Sequence, residues 1–267
     1  MKLRSLGHRT DLIFARYDGV VEDKGDYLVI RTPSNPDYWW GNYLMFSQPP
    51  AEGDADKWLR LFRQEIGEPP EVSHIVLAWD STNGEAGRIE PFLGRGLEKH
   101  FDIVLSTSEV KPSKHPNAEA EFRQLKTDDD WQRAVELQVI SRDEEYKDEA
   151  GYRAFREKQM RRYRAMSQDG LGGWFGAFLE GELVADLGLF RDGSLGRFQN
   201  VETHPRYRRR GLCGTLVHYA ARVGLDDWGL DTLVMVADPE YHAARIYESL
   251  GFEVVERQMG LERPGNR

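Results

Sequence analysis

The chain has 267 residues, of which 40% are hydrophobic and 11% aromatic, so it can pack a real interior and is not a wholly disordered polymer. Its length suits two domains of ordinary size. A formal net charge of -9 argues against non-specific binding to nucleic acid or to an anionic membrane surface, because both require a positive field.

Cys213 is the single cysteine, so an intrachain disulfide and a cysteine-based zinc site are excluded, and no metal is expected. Met1 to Ser5 is not followed by an apolar run of signal-peptide length, and no stretch approaches a membrane span. The expectation is a cytoplasmic protein with neither membrane nor nucleic acid as partner.

In chain order, Asp26 to Ile30 reads as a strand and Asn42 to Phe46 as its partner, with the Pro- and Asn-rich stretch between them as loop. Trp58, Leu61, Phe62 and Ile66 have helical spacing within Asp54 to Ile66. His74 to Trp79 reads as a buried strand, Ala86 to Leu93 as a helix despite Pro91, and Phe101 to Leu105 as another strand. Residues 106 to 118 are polar and aperiodic with two prolines, so the boundary falls there: one domain over residues 1–108, a linker over 109–119, and a second domain over 120–267.

The second half begins with a strand at Phe122 to Leu125. Thr127 is placed to cap a helix from Asp128 to about Val139, with three aspartates in its first turn. A second helix runs from Gly151 to Met166. Phe175 to Leu179 and Leu183 to Phe190 form a hairpin around Glu180-Gly181-Glu182, and a strand spans Arg197 to Thr203. A helix follows from Leu212 to Leu225, then a strand from Thr232 to Val236. The helix Tyr241 to Leu250 stops at Gly251, and Phe252 to Met259 alternates like a half-buried strand. The domain is therefore mixed α/β.

Between the strand ending at Thr203 and the helix starting at Leu212 lies Arg208-Arg209-Arg210-Gly211-Leu212-Cys213-Gly214-Thr215. A helix start leaves about four backbone N–H groups unpaired and carries positive potential. Glycines let the backbone approach a ligand, and arginines offer bidentate donors to phosphate oxygens. The combination is an anion site suited to a pyrophosphate. A lone Gly-x-x-Gly would read only as a turn; the strand before it and the helix after it give this one its meaning.

These residues resemble the pyrophosphate motif Gln/Arg-x-x-Gly-x-Gly/Ala of the GNAT superfamily of N-acetyltransferases, with Arg208 and Gly211 in place and Cys213 where Gly or Ala is usual. Ala243-Ala244-Arg245-Ile246-Tyr247-Glu248-Ser249-Leu250-Gly251-Phe252 is similar to the family's Asn-x-x-Ala-x-x-x-Tyr-Glu-x-Leu-Gly-Phe ending, with Glu240 in place of Asn. The resemblance covers about half of the chain. It implies a central mixed sheet flanked by helices in which two parallel strands splay apart. It also implies acetyl-CoA as co-substrate, pantetheine held by backbone groups of Val201 and Thr203, pyrophosphate held by residues 208–215, and a primary amine as acceptor. It places Tyr247 as proton donor to the leaving thiolate. At the end of the splayed strand Glu202 is a candidate base for the amine, with His204 its rival. Cys213 reads as packing rather than as a nucleophile.

The first half shows a fainter echo of the same order, from the strand His74 to Trp79 to the strand Phe101 to Leu105, without an Arg-x-x-Gly-x-Gly loop; the acidic Asp54 to Trp58 stands in its place. Two GNAT-like domains in tandem are expected, the first degenerate and shaping the acceptor pocket or a contact between two copies of the chain. The alternative to an enzyme is a protein that binds acyl-CoA without turnover. Nucleic-acid binding through Arg206 to Arg210 sits poorly with the overall acidity, and no Lys-Ser/Thr follows the glycine loop as a nucleoside triphosphatase requires.

Overall fold

A computed structural model describes residues 1–143, 146–240 and 243–265. The elements in order are α1 (Leu6–Asp18), β1 (Val20–Asp23), β2 (Tyr27–Arg31), β3 (Tyr43–Phe46), α2 (Asp54–Glu65), β4 (Ile75–Trp79), α3 (Glu90–Leu93), β5 (Glu98–Thr107), β6 (Glu121–Gln124), α4 (Asp128–Ile140), α5 (Glu149–Gln168), β7 (Gly172–Leu179), β8 (Glu182–Asp192), β9 (Leu195–Thr203), α6 (Leu212–Arg222), β10 (Thr232–Ala237), α7 (Ala243–Ser249) and β11 (Glu253–Arg263). They form two compact units. The first is Met1–Val104 with the described residues from Val255 onward, and the second is Leu105–Val254.

In the first unit β1, β2 and β3 form an antiparallel meander, β4 runs parallel to β3, and β11 is antiparallel to β4 with Leu261 opposite Leu77. This corrects the expected division, which keeps residues 120–267 together. The alternation along β11 shows that one face is buried but cannot say which sheet buries it. Leu261 and Met259 pack among Leu77, Trp79 and Phe46 of the first unit.

Helix α1 and strand β1 carry no sequence signal strong enough to announce them. The first turn of α1 contains no acidic residue. Its anions arrive from distant chain: the Glu256 carboxylate accepts from the Leu6 N–H at 2.8 Å and from the Ser5 hydroxyl at 2.7 Å, and Asp80 accepts from the Ser5 N–H at 2.9 Å. The helix expected over Ala86 to Leu93 shrinks to the single turn of α3, because Gly84 and Gly87 take positive φ and the Arg88 N–H bonds to the Pro50 carbonyl.

In the second unit β6, β7, β8 and β9 are successively antiparallel, and β10 is parallel to β9. The turn between β7 and β8 has positive φ at Glu180 and Gly181, the signature of a tight hairpin. Adjacent residues of β7 show how the layers form. Trp174 meets Trp131 of α4 and Tyr163 of α5, while Phe175 meets Tyr219 of α6 on the other face. Thr127 and Asp130 form a reciprocal capping box at the start of α4, as the sequence pattern indicates. The helix expected to begin at Tyr241 starts, within the described residues, at Ala243; Tyr241 and His242 lie outside them.

Each unit contains strands, a helix, a parallel strand and a further helix in that order. The tandem reading of the fold is visible in that shared order. The decisive difference is at the parallel pair. In the first unit the β3–β4 pairing continues to the strand ends, Phe46 opposite Trp79. In the second unit β9 and β10 pair only at their beginnings, from Leu195 with Thr232 to Arg197 with Val234, and then part.

Candidate active site

The site is built where β9 leaves β10. From Phe198 to Thr203 the side of β9 that faced β10 has no strand partner, so main-chain donors and acceptors stand open as at a sheet edge. Val201 and Thr203 lie on this stretch, both half-buried. The Thr203 carbonyl also accepts from Arg208 Nε at 3.3 Å, which ties the strand end to the basic loop.

A bulge shapes the same stretch. Gly188 pairs with Gln199, and Asp186 pairs with Glu202, so Asn200 and Val201 together face Leu187. Asn200 absorbs the extra residue with φ 45°. Its side-chain amide donates to Gln159 Oε1 of α5 at 3.2 Å. The bulge kinks the ladder and brings Glu202 back into register beside Asp186.

Past the strand, His204 accepts from the Arg206 N–H through Nδ1 at 3.1 Å, capping the turn Pro205–Tyr207. That bond occupies the ring nitrogen and favours Glu202 over His204 as the group that receives a proton. Arg209 and Gly211 then take φ of 61° and 75°. Alternation of this kind turns successive N–H groups toward one concavity, the geometry of anion-binding nests. Helix α6 begins with no side chain capping it. Among the described residues the N–H groups of Gly211, Leu212, Cys213 and Gly214 meet no acceptor. Leu212 is buried and anchors the turn, while Arg208 and Arg209 extend into solvent.

Residues of the expected linker brace this loop. The Asn117 N–H donates to Thr215 Oγ1 at 2.9 Å, and its side-chain amide donates to the Arg210 carbonyl at 3.0 Å. Arg210 pairs with Glu119 at 2.6 Å. A Cβ at Gly211 would collide with the His115 carbonyl, so this glycine serves the linker's close approach as well as its own positive φ. The Thr215 hydroxyl is committed to Asn117 and to the Gly211 carbonyl, which makes it a brace of the loop.

On the α4–α5 face, two groups that sequence reasoning passed over, Asp186 and Arg156, act on Glu202. Asp186 is fully buried; Trp174 Nε1 donates to it at 3.0 Å and Gln138 Nε2 at 2.9 Å. Burial holds the Asp186 carboxyl well above the usual carboxylate range, Glu202 adds to the rise, and its two donors and Arg156 only partly offset it. Glu202 is raised too, first by burial, with Arg156 and Arg208 pulling the other way. Arg156 of α5 donates from Nε to the Tyr152 hydroxyl at 2.8 Å and from Nη1 to Gln159 Oε1 at 2.6 Å. The lone aspartate within the apolar run Leu183 to Phe190 was the one available signal, since an unpaired carboxylate in a buried strand needs a reason.

Tyr247 is 4% exposed, its ring edge-on to Phe252. It stands on α7, whose C-terminal Leu250 carbonyl accepts from the Lys111 N–H at 2.8 Å. Burial, with Glu202 adding to it, pushes the Cys213 thiol up to about 12, so it stays protonated and unreactive. Asp238 bonds to the Glu240 N–H at 2.8 Å in the turn before α7 and is a turn-forming carboxylate.

The second unit is thus a mixed α/β domain whose parallel pair parts beside a glycine-bearing helix start without a side-chain cap. Residues 131–252 match the acetyltransferase (GNAT) family, and this part of the chain is a GNAT domain. Solved structures agree on the fold over nearly the whole chain. A GCN5-related N-acetyltransferase from Kribbella flavida matches with a TM-score of 0.66 at 14% identity, covering 98% of this chain and 97% of that one. A functionally unknown conserved protein from Staphylococcus epidermidis matches with a TM-score of 0.69 at 11% identity, covering 94% and 96%. A tandem GNAT protein from the clavulanic acid biosynthesis pathway matches with a TM-score of 0.56 at 11% identity, covering 84% and 76%. No curated protein matches the sequence. Among the described residues no helix is long and apolar enough to cross a membrane.

Proposed function

We propose that the second unit is an N-acetyltransferase that moves an acetyl group from acetyl-CoA directly to a primary amine within a ternary complex. The observation that carries this reading is the meeting of two open arrays of main-chain groups, the unpaired edge of β9 and the unsatisfied amides of Gly211 to Gly214. The first suits the amides of a pantetheine arm, which adds to β9 as a strand would. The second, with Arg208 and Arg209, suits a pyrophosphate.

Acetyl-CoA supplies an activated acetyl thioester. Glu202, at the end of the open edge, takes the proton that the amine must lose. Burial raises its pKa, which makes it a stronger base than an exposed glutamate. Tyr247 is assigned the return of a proton to the thiolate. In the first unit nothing comparable is open: Phe46 stacks on Trp58 at 3.6 Å between centroids where its parallel pair ends, and Asp54 and Asp56 occupy the first turn of α2. That unit is assigned a supporting role without cofactor.

Calorimetric titration of acetyl-CoA tests the proposal. Wild type is expected to bind in the micromolar range, and Arg209→Gln to bind roughly tenfold more weakly through loss of one charge-assisted contact. Absence of binding by folded wild type would refute it. A non-catalytic acyl-CoA-binding protein is the second reading; it predicts that Tyr247→Phe changes nothing, whereas an enzyme loses turnover while keeping its affinity for acetyl-CoA.

A further inference from the structure

Arg156 is the one cation that the fold brings beside Glu202 from the α5 layer, and its placement asks for an anion. It is half-buried, and among the described residues it forms no ion pair. Its hydrogen bonds, to the Tyr152 hydroxyl and the Gln159 amide oxygen, are to neutral acceptors and use Nε and Nη1, leaving Nη2 without a partner. The guanidinium lies over the Tyr152 and Phe155 rings, at 5.0 and 5.3 Å from their centroids. Glu202 acts on this charge electrostatically without forming an ion pair with it, so among the described residues Nη2 is left for a bidentate anion.

Gln159 ties the position of Arg156 to the catalytic strand. Its Oε1 accepts from Arg156 Nη1 at 2.6 Å and from Asn200 Nδ2 at 3.2 Å. Asn200 is the bulge residue two places before Glu202, about 7 Å of backbone at most, so Gln159 links the guanidinium to the strand that carries the proposed base. Tyr152 and Phe155 pack against each other beneath the guanidinium.

We propose that Arg156 binds a carboxylate of the acceptor, so that the substrate class is α-amino acids, or small amines bearing a carboxylate at comparable distance, with the amine presented to Glu202. This rests on the acetyl-transfer reading and names the acceptor for it. Arg156 acts as a specificity determinant that also sets the register of the amine; Gln159 and Asn200 are positioning residues behind it. The net acidity of the chain, which alone leans toward purely cationic acceptors, is overruled locally by this guanidinium.

The test compares the twenty standard α-amino acids with their C-terminal amides as acceptors, using thiol release from acetyl-CoA as the readout. An amide's amine is the weaker base and is the more readily deprotonated, so a preference for the acid cannot come from amine basicity. Wild type is expected to favour the best acid over its amide by at least tenfold in kcat/KM, expressed mainly in KM. In Arg156→Gln the acid-to-amide ratio is expected to fall to near one, and in Arg156→Lys to recover in part. The ratio cancels any effect of the substitution on Glu202 itself. A wild-type ratio at or below one, a ratio unchanged in Arg156→Gln, or acetylation of no member of either panel by protein that binds acetyl-CoA would overturn the anchor while leaving the cofactor site standing. Failure of wild type to bind acetyl-CoA would instead remove the acetyl-transfer reading itself.

Discussion

Asp186 on β8 stands directly opposite Glu202 on β9, so two carboxyl groups point to one face of the sheet at the bulge. Like charges this close do not both ionise readily. Asp186 is the more deeply buried and is held the higher, while Arg156 and Arg208 favour the ionised form of Glu202. Of the two, Glu202 is therefore the carboxyl proposed as base.

Replacing the base tests this division first. Glu202→Gln is expected to lower kcat/KM by about 10²–10⁴-fold with little effect on acetyl-CoA affinity. The acid limb of the wild-type pH–rate profile reports Glu202 and is expected above the ordinary glutamate value. Arg156→Gln removes a charge that lowers this pKa, so the limb is expected to move to higher pH. A limb that stays in place separates Arg156 from Glu202.

Asp186→Asn removes a carboxyl whose charged form burial disfavours. The Gln138 carbonyl oxygen, buried and without a partner, can accept from the new amide once the Gln138 side chain turns. Near-wild-type melting is expected. Asp186→Ala instead strands the Trp174 indole N–H and the Gln138 amide, at a cost of about 1–3 kcal/mol for each buried group left unpaired. Chemical denaturation of the two variants checks the contrast.

Asn117 lies far from the loop in sequence and holds it through two hydrogen bonds, at 2.9 and 3.0 Å. Asn117→Ala deletes the side-chain bond to the Arg210 carbonyl. Acetyl-CoA affinity is expected to fall by about two- to tenfold, in line with a net worth of about 0.5–1.5 kcal/mol for one such bond. The Michaelis constant for the acceptor is expected to stay put, and calorimetry with steady-state kinetics distinguishes the two.

Asp130 accepts both nitrogens of the Arg123 guanidinium, at 2.9 and 2.7 Å, and caps α4. The Arg123 guanidinium first, aided by the Lys126 and Thr127 N–H groups, holds the Asp130 carboxyl far below the usual range despite burial. A folded pKa depressed in this way gives stability that is present above the unfolded value of 3.8 and is lost as pH falls toward the folded one. Asp130→Asn is expected to cost about 2 kcal/mol at neutral pH, discounted for the partial exposure of Arg123. The gap from wild type narrows below about pH 4. A gap as wide at pH 2 as at neutral pH contradicts the assignment.

His100 shows the opposite sign. Burial alone lowers its pKa, but Asp102 at 2.8 Å and Glu262 at 3.6 Å outweigh it and raise the ring to about 10. A raised histidine contributes stability that is complete below its unfolded value of 6.5 and is lost as pH climbs toward 10. Wild type is expected to lose melting temperature across that interval more steeply than His100→Gln.

The sequence by itself determined the elements whose signals are local. The capping box at Thr127, the Glu180-Gly181 hairpin, the Arg208 to Gly214 loop between strand and helix, and the Leu250-Gly251 helix stop each depend on residues within a few positions of one another, which is the range over which caps, turns and periodicity act. From these the GNAT order and the glycine-bearing basic loop were legible.

Only the tertiary structure decided the rest. Helix α1 draws its capping anions from Asp80 and Glu256, far along the chain, and β11 joins the first unit because Leu261 finds its partners there. Asp186, Glu202, Arg156 and Gln159 come from a strand, a bulge and a helix; no spacing in the sequence links them, because they meet only after β8, β9 and α5 have packed. Equally hidden was that the first unit's parallel pair stays joined to Phe46 and Trp79 while the second's parts after Arg197, since strand pairing is a property of two segments and not of either one.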